Sequence, residues 1–177
     1  MSVLRLILVD ESKRKDYILC AVEIDMSIAP AARVAVNRLR LKGQRSIHFV
    51  DEKEDRKRQV IDQYLKEDLN AICFVVQGRV ESHARRICLE TLVESLNPLE
   101  RYVLVLDRDE TREHSDRLTL SKRLRLLGLT DRVNFVHSEP HQEKLLWIPD
   151  AIGWCYARGG VWRSRVTELR TSVIHIP

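Results

Sequence analysis

The chain reads as an α/β protein on a mixed β-sheet, an antiparallel hairpin followed by parallel strands, flanked by helices. Three observations predict this. Two apolar runs, 3–10 and 17–24, are joined through the polar stretch Lys13-Arg14-Lys15-Asp16, a hairpin spacing. From residue 70 onward strand and helix patterns alternate strictly, which calls for parallel strands covered by helices. Two aliphatic runs, Leu4 to Val9 and Tyr102 to Leu106, stop on acids, as a buried strand does at the rim of its sheet.

The elements follow in order. Residues 3–10 make the first strand and 17–24 the second. Pro30 opens a helix over 30–41, with Ala31, Val34, Ala35 and Arg38 at helical spacing. Ser46-Ile47-His48-Phe49 predicts a short strand. Residues 52–67 are highly charged but carry the narrow apolar stripe Val60, Ile61, Tyr64 and Leu65, a helix pattern. A strand over 71–77 and a helix over 82–96, ended by Asn97-Pro98, come next. Then come the strand 101–107, a helix near 115–127 closed by Gly128, the strand 133–137 and a helix over 143–157 stopped by Gly159-Gly160. No repeat, low-complexity tract or linker interrupts residues 1–177, so one domain is expected, with 158–177 as a basic C-terminal tail.

Composition narrows the function classes. At 177 residues, 44% hydrophobic and 32% charged, the chain has the balance of a water-soluble globular domain with a sizeable core. Its longest apolar runs fall far short of the roughly 20 residues that span a bilayer. The first strand begins without a signal-peptide pattern, so the expected location is cytoplasmic, with no membrane partner. Cys20, Cys73, Cys88 and Cys155 show no C-x-x-C pairing and read as reduced core thiols. Six glycines leave no room for a phosphate-cradling loop, and the P-loop, dinucleotide and nucleophile-elbow motifs are absent. The net charge of +4 suits a polyanionic partner only if it is clustered. Arg158, Arg163, Arg165 and Arg170 crowd the C-terminal segment, and Arg33, Arg38, Arg40, Lys42 and Arg45 form a second group.

The candidate site is acidic. Asp10 and Glu11 end the first strand, Asp107 and Asp109 end the strand at 101–107, and Asp150 opens the last apolar helix. Ends of neighbouring strands lie about 5 Å apart, so two strand-end acids and one from a covering helix can converge on one divalent ion. Such sets hold the magnesium of phosphodiester-cleaving enzymes, in two-metal cases with ions about 3.5–4 Å apart. Alternation sends Asp107 and Asp109 to one face of the chain and Arg108 to the other; read otherwise, they are loop or helix-capping acids ahead of Thr111, and Asp150, beside Pro149, is a helix-dipole acid. His48, followed by Asp51 and Glu52, points away from the face that Ile47 and Phe49 bury. It is a candidate proton shuttle or outer metal ligand, or an ordinary surface histidine. His137, Glu139 and His141 read as a charged loop at the site's rim.

Taken together, Asp-Glu-Ser at 10–12, the hairpin strand after it, the strand ending in acids at 107–110 and Ile-Pro-Asp-Ala-Ile-Gly-Trp at 148–154 resemble domain-of-unknown-function family 3800. The likeness spans nearly the whole chain and includes the Ile-His-Phe segment at 47–49. It implies a ribonuclease-H-like fold with strand order 3-2-1-4-5, acids on the first and fourth strands, and a further acid on a late helix. Carried onto this chain, these are Asp10, Asp107 or Asp109, and Asp150, with Glu11 and His48 secondary. The helix 30–41 departs from the ribonuclease-H-like pattern, because it holds no acid where a glutamate is expected; Glu52 is a candidate replacement. The expectation is a magnesium- or manganese-dependent nuclease acting on RNA or DNA, with Arg158, Arg163 and Arg165 meeting phosphates. The alternative is an inactive module that binds nucleic acid or protein.

Overall fold

In the computed structural model, which describes residues 3–167 and 171–177, β1 (Leu4–Lys13) and β2 (Tyr17–Asp25) form the expected antiparallel hairpin. The acids do not end β1. Hairpin pairing continues from Asp10 opposite Cys20 to Lys13 opposite Tyr17, because β2 offers a partner past the point where the parallel neighbour stops.

Helix α1 (Ala29–Asn37) follows, with Pro30 in its first turn. The predicted strand at 46–49 is not one: Phe49–Asp51 is a single 3-10 turn. Ile47 and Phe49 are buried in the core on the helical side instead of pairing at a sheet edge, and the edge beside β3 is already taken. Helix α2 (Glu54–Tyr64) leads to β3 (Leu69–Val76), then α3 (Glu81–Glu94), β4 (Arg101–Asp107), α4 (Glu113–Leu126) and β5 (Val133–Ser138). A 3-10 turn at Lys144–Leu146 runs into α5 (Trp147–Arg158).

The described residues of the C-terminal segment expected as a tail are structured. α6 (Gly160–Thr167) packs on α5, and β6 (Thr171–Ile176) pairs in parallel with β3. Along β6, Val173 packs against one core of the sheet and Ile174 and Ile176 against the other. Arg170 and Glu168 lie outside the described residues.

The sheet order is β5-β4-β1-β2-β3-β6, which contains the expected 3-2-1-4-5 and adds a sixth strand beyond β3. β1 is antiparallel to β2 and parallel to β4, so the sheet is mixed. Strand alternation sorts its residues between two cores. Leu6 and Leu8 pack under α1, α2, α5 and α6, while Ile7 and Val9 pack under α3 and α4. Each such fully buried aliphatic side chain stabilises the fold by roughly 1.5–3 kcal/mol. No helix among the described residues is long and apolar enough to cross a membrane.

One packing detail positions the site. Gly153, inside α5, lies where a Cβ would come 3.4 Å from Ser12 Cβ and 3.6 Å from Cys20 Cβ. Glycine inside a helix costs about 1 kcal/mol relative to alanine. The two Cβ distances are ordinary van der Waals contact, so α5 packs directly on β1 and β2, and Asp150, one turn earlier on the same helix, comes down beside Asp10.

Candidate active site

The parallel register of β1 with β4 runs to Val9 opposite Leu106, and the next residues along are Asp10 and Asp107. They are therefore neighbours on adjacent strands. By alternation they share the face of Leu8 and Val105, the face that α5 covers. Asp150 comes from the first turn of α5. The three line one cleft of about 270 Å³, with His48, Ile47, Pro140, Leu146 and Trp147 in its walls.

The electrostatics of the three acids are of one kind. Burial pushes Asp10 well above the usual carboxylate range, and the charges of Asp150 and Asp107 push the same way, against a 2.7 Å hydrogen bond from the Glu11 N–H. Asp107 is pushed up to about 6, first by burial and then by Asp150. Asp150 is raised by burial, opposed by the Phe49 N–H, which donates to its Oδ2 at 3.0 Å, and by His48. Buried Asp107 Oδ1 has no hydrogen-bond partner. A buried carboxylate oxygen without a donor is expensive.

These donors fit a hard divalent cation, which prefers carboxylate oxygen. As the side chains stand, however, no group of three or more His, Cys, Asp or Glu among the described residues forms a ready cage for an ion.

The other candidates stand apart from the three acids, Glu11 and His48 at the border of the cleft and Asp109 outside it. Glu11 alternates to the opposite face. Tyr17 Oη donates to it at 2.6 Å, Arg85 Nη1 at 3.0 Å and Arg112 at short range, and Lys13 is 2.9 Å away. Burial alone would raise Glu11, but these donors and cations hold it below its ordinary value. The strand ends at Asp107, so alternation does not carry Asp109 to the same side. Asp109 Oδ1 accepts from the N–H and hydroxyl of Thr111 at 2.9 and 2.6 Å, and Oδ2 meets Arg112 at 3.1 Å, so it serves as the turn acid ahead of α4. His48 is exposed on the rim, its Nε2 3.1 Å from Ser46 Oγ. Glu52, the candidate replacement acid, is buried against Gln44 at 2.7 Å and Arg56 at 3.4 Å and does not line the cleft.

The C-terminal arginines do not wall the cleft either. Arg165 makes a two-pronged bond to Asp62 at 2.7 and 3.0 Å. Arg163 donates to the Tyr156 carbonyl at 2.9 Å and stacks 4.5 Å over its ring, and Arg158 is exposed at the end of α5. The basic groups that border the acids are Lys13, Arg85, Arg108 and Arg112, the last three in an adjoining hollow of about 380 Å³ that shares Asp10, Glu11 and Asp107.

Sequence reasoning missed a buried ionic brace behind the cleft. Arg85 of α3 binds Asp116 of α4 through two bonds of 2.8 and 2.9 Å and reaches Glu11 on β1. His137 Nε2 on β5 lies 2.9 Å from Asp116 Oδ2, so His137 belongs to this brace and not to a rim loop. A signal was present: Arg85 stands three residues before Cys88, and Asp116 four before Leu120, so each charge lies on the buried stripe of its helix.

The hairpin, the strand order and the helices on both faces define a ribonuclease-H-like fold. Among solved structures, the ribonuclease HII of the PCNA–RNase HII complex from Archaeoglobus fulgidus is similar over 94% of this chain and 78% of that chain, with a TM-score of 0.57 and 10% identity. At that identity the likeness concerns the fold alone. No family model matches the chain, and no curated protein matches it.

Proposed function

We propose that this protein is a divalent-metal-dependent nuclease that hydrolyses phosphodiester bonds of RNA or DNA. The observation that carries the reading is the cluster of Asp10, Asp107 and Asp150 in one cleft, without an ion-paired base on any of the three among the described residues. Like charges repel, so a cation is what would draw such carboxylates together. The ribonuclease-H-like fold supports the reaction class at the level of architecture.

Asp10, Asp107 and Asp150 would hold one or two Mg2+ or Mn2+ ions, which when bound supply activation of the attacking water and stabilisation of the leaving 3′-oxygen. The chain's own groups do the rest. The Glu11 and Phe49 N–H groups orient Asp10 and Asp150. His48, which lines the cleft, would exchange a proton with a substrate lying there. Glu11 and Asp109 act as supports, one in the ionic brace and one in the turn before α4.

One second reading has an observation in its favour. α1 carries no acid, Glu52 is engaged by Gln44 and Arg56, and the acids are not a preformed cage. These suit an inactive module that binds nucleic acid or protein. The test is to incubate single-stranded RNA, DNA and an RNA–DNA hybrid with the protein in magnesium, in manganese and in EDTA. Cleavage that needs metal and disappears in Asp10→Asn supports the nuclease. Tight binding without cleavage in either metal replaces it with the module.

Phosphate contacts are expected near the acids, at Lys13 and Arg108, whose side chains are about 40% exposed. Changing both to alanine is expected to lower the slope of log affinity against log salt by about 1.4–1.8. The triple change of Arg158, Arg163 and Arg165 to alanine is expected to leave that slope nearly unaltered, since none of the three lines the cleft or its adjoining hollow. The opposite ranking, measured by filter binding across a salt series, would move the substrate path to the C-terminal segment.

A further inference from the structure

We infer that Lys57 is a positioning residue for the acid cleft: it bolts down the Phe49–Asp51 turn, and that turn holds Asp150 in place. The inference rests on reading the cleft as a metal centre.

Lys57 lies on α2, on the stripe of Val60, Ile61 and Tyr64, and is only 6% exposed. Its ammonium donates to the Val50 carbonyl at 3.2 Å and, at short range, to the Glu52 carbonyl. It also stands 5.0 Å from the ring centre of Trp154 on α5. Two backbone carbonyls of one turn and one aromatic face thus converge on a single buried cation. A methionine would fill similar space without the cost of desolvating an ammonium. Filling the core is therefore a poor account of a lysine here, whereas gripping the turn is a good one.

The turn is tied to the site at two points. The Phe49 N–H donates to Asp150 Oδ2 at 3.0 Å. The Phe49 ring meets Trp154 edge-on at 5.3 Å and Trp162 at 6.2 Å, and those two rings meet at 5.4 Å. Asp150 and Trp154 are one helical turn apart on α5. The same turn therefore grips α5 through a hydrogen bond to the acid and, four residues on, through a ring that the Lys57 cation also faces. His48, which lines the cleft, is the residue just before the turn. If the turn loosens, Asp150 loses its donor and His48 its placing together.

The test uses the full chain, with Mn2+ as the probe. Mn2+ binding is followed by calorimetry, and tryptophan fluorescence reports on the Trp154–Trp162 pair. Lys57→Met is expected to weaken Mn2+ binding by about 10-fold, the lower end of what removal of an outer-shell partner does. Lys57→Arg, which keeps a donor cation, is expected to recover part of that loss. Arg58→Met, on the exposed side of the same helix, serves as the control and is expected to bind as the wild type does. A purely structural lysine would lower the melting temperature and leave the affinity of the folded protein unchanged.

An affinity of Lys57→Met within about twofold of wild type, against the 10–100-fold typical of outer-shell groups, overturns the positioning role. Should that variant not fold, Phe49→Leu keeps the N–H but removes the ring contacts that seat the turn. Weaker Mn2+ binding is expected there too, and wild-type affinity would be equally decisive against the inference. A wild-type protein that binds no Mn2+ overturns the metal reading and this inference with it. Normal wild-type binding retained in Lys57→Met overturns the inference alone.

Discussion

Asp10→Asn is expected to reduce nucleic-acid cleavage by about 10³-fold or more while leaving the fold intact. The loss of one charged ligand removes several kcal/mol of cation stabilisation at the reacting phosphate, and each 1.4 kcal/mol is a factor of ten in rate. The fold should survive because asparagine keeps the shape and the acceptor for the Glu11 N–H. In EDTA the variant should be more stable than wild type, since it removes a buried charge that Asp107 and Asp150 repel. A gain of 1 kcal/mol corresponds to roughly 2–4 °C in melting temperature for a chain of this size. Thermal unfolding in EDTA and a cleavage assay in magnesium check both halves. A variant that cleaves at the wild-type rate removes Asp10 from the site.

The second large effect is on pH and metal. Asp10, Asp107 and Asp150 all have raised carboxyl pKa values, Asp107 to about 6 from 3.8. A raised acid keeps its proton in the folded state where the unfolded chain has lost it. Stability from such groups is therefore complete below about pH 4 and falls as pH rises through about 6. For partly exposed Asp107 this amounts to about 1–2 kcal/mol after allowance for solvent screening. Glu11 and Asp116 have lowered values and act oppositely, adding stability that is lost only as pH falls below the ordinary carboxylate range. In EDTA, then, the protein is expected to lose stability between about pH 4 and 6.5. Saturating Mn2+ should restore it at neutral pH, and Mn2+ binding near pH 6 should release protons. Urea unfolding over a pH series checks this; stability that rises steadily across that window, with no effect of Mn2+, would contradict it.

Much of this was legible in the sequence for physical reasons. Strand alternation and the run of aliphatic residues up to Asp10 and Asp107 marked the two strands and the rim of the core, because buried parallel strands carry continuous apolar runs. The hairpin spacing gave the antiparallel start, and the apolar helix around Asp150 gave the third wall. What was not legible depended on partners distant in the chain. The segment 46–49 looks like a strand by composition, yet its fate turned on the sheet edge being occupied by β6. β6 itself, six residues long and half polar, acquires its strand character from pairing with β3. Glu11 and Asp10 are alike as letters, and only the face each takes separates a cleft acid from a member of the ionic brace. Arg85, Asp116 and Lys57 stood on apolar stripes, where a charge signals a buried partner; that pattern pointed to their importance but not to what they bind.

The central claim is that Asp10, Asp107 and Asp150 together hold a divalent cation. Crystals soaked in Mn2+ and recorded at a wavelength where manganese scatters anomalously test it most directly. The account predicts an anomalous peak within about 2.0–2.6 Å of oxygens from at least two of these carboxylates, absent in Asp10→Asn crystals treated alike. A wild-type crystal with no peak in that cleft, or with its peak elsewhere on the protein, would contradict it.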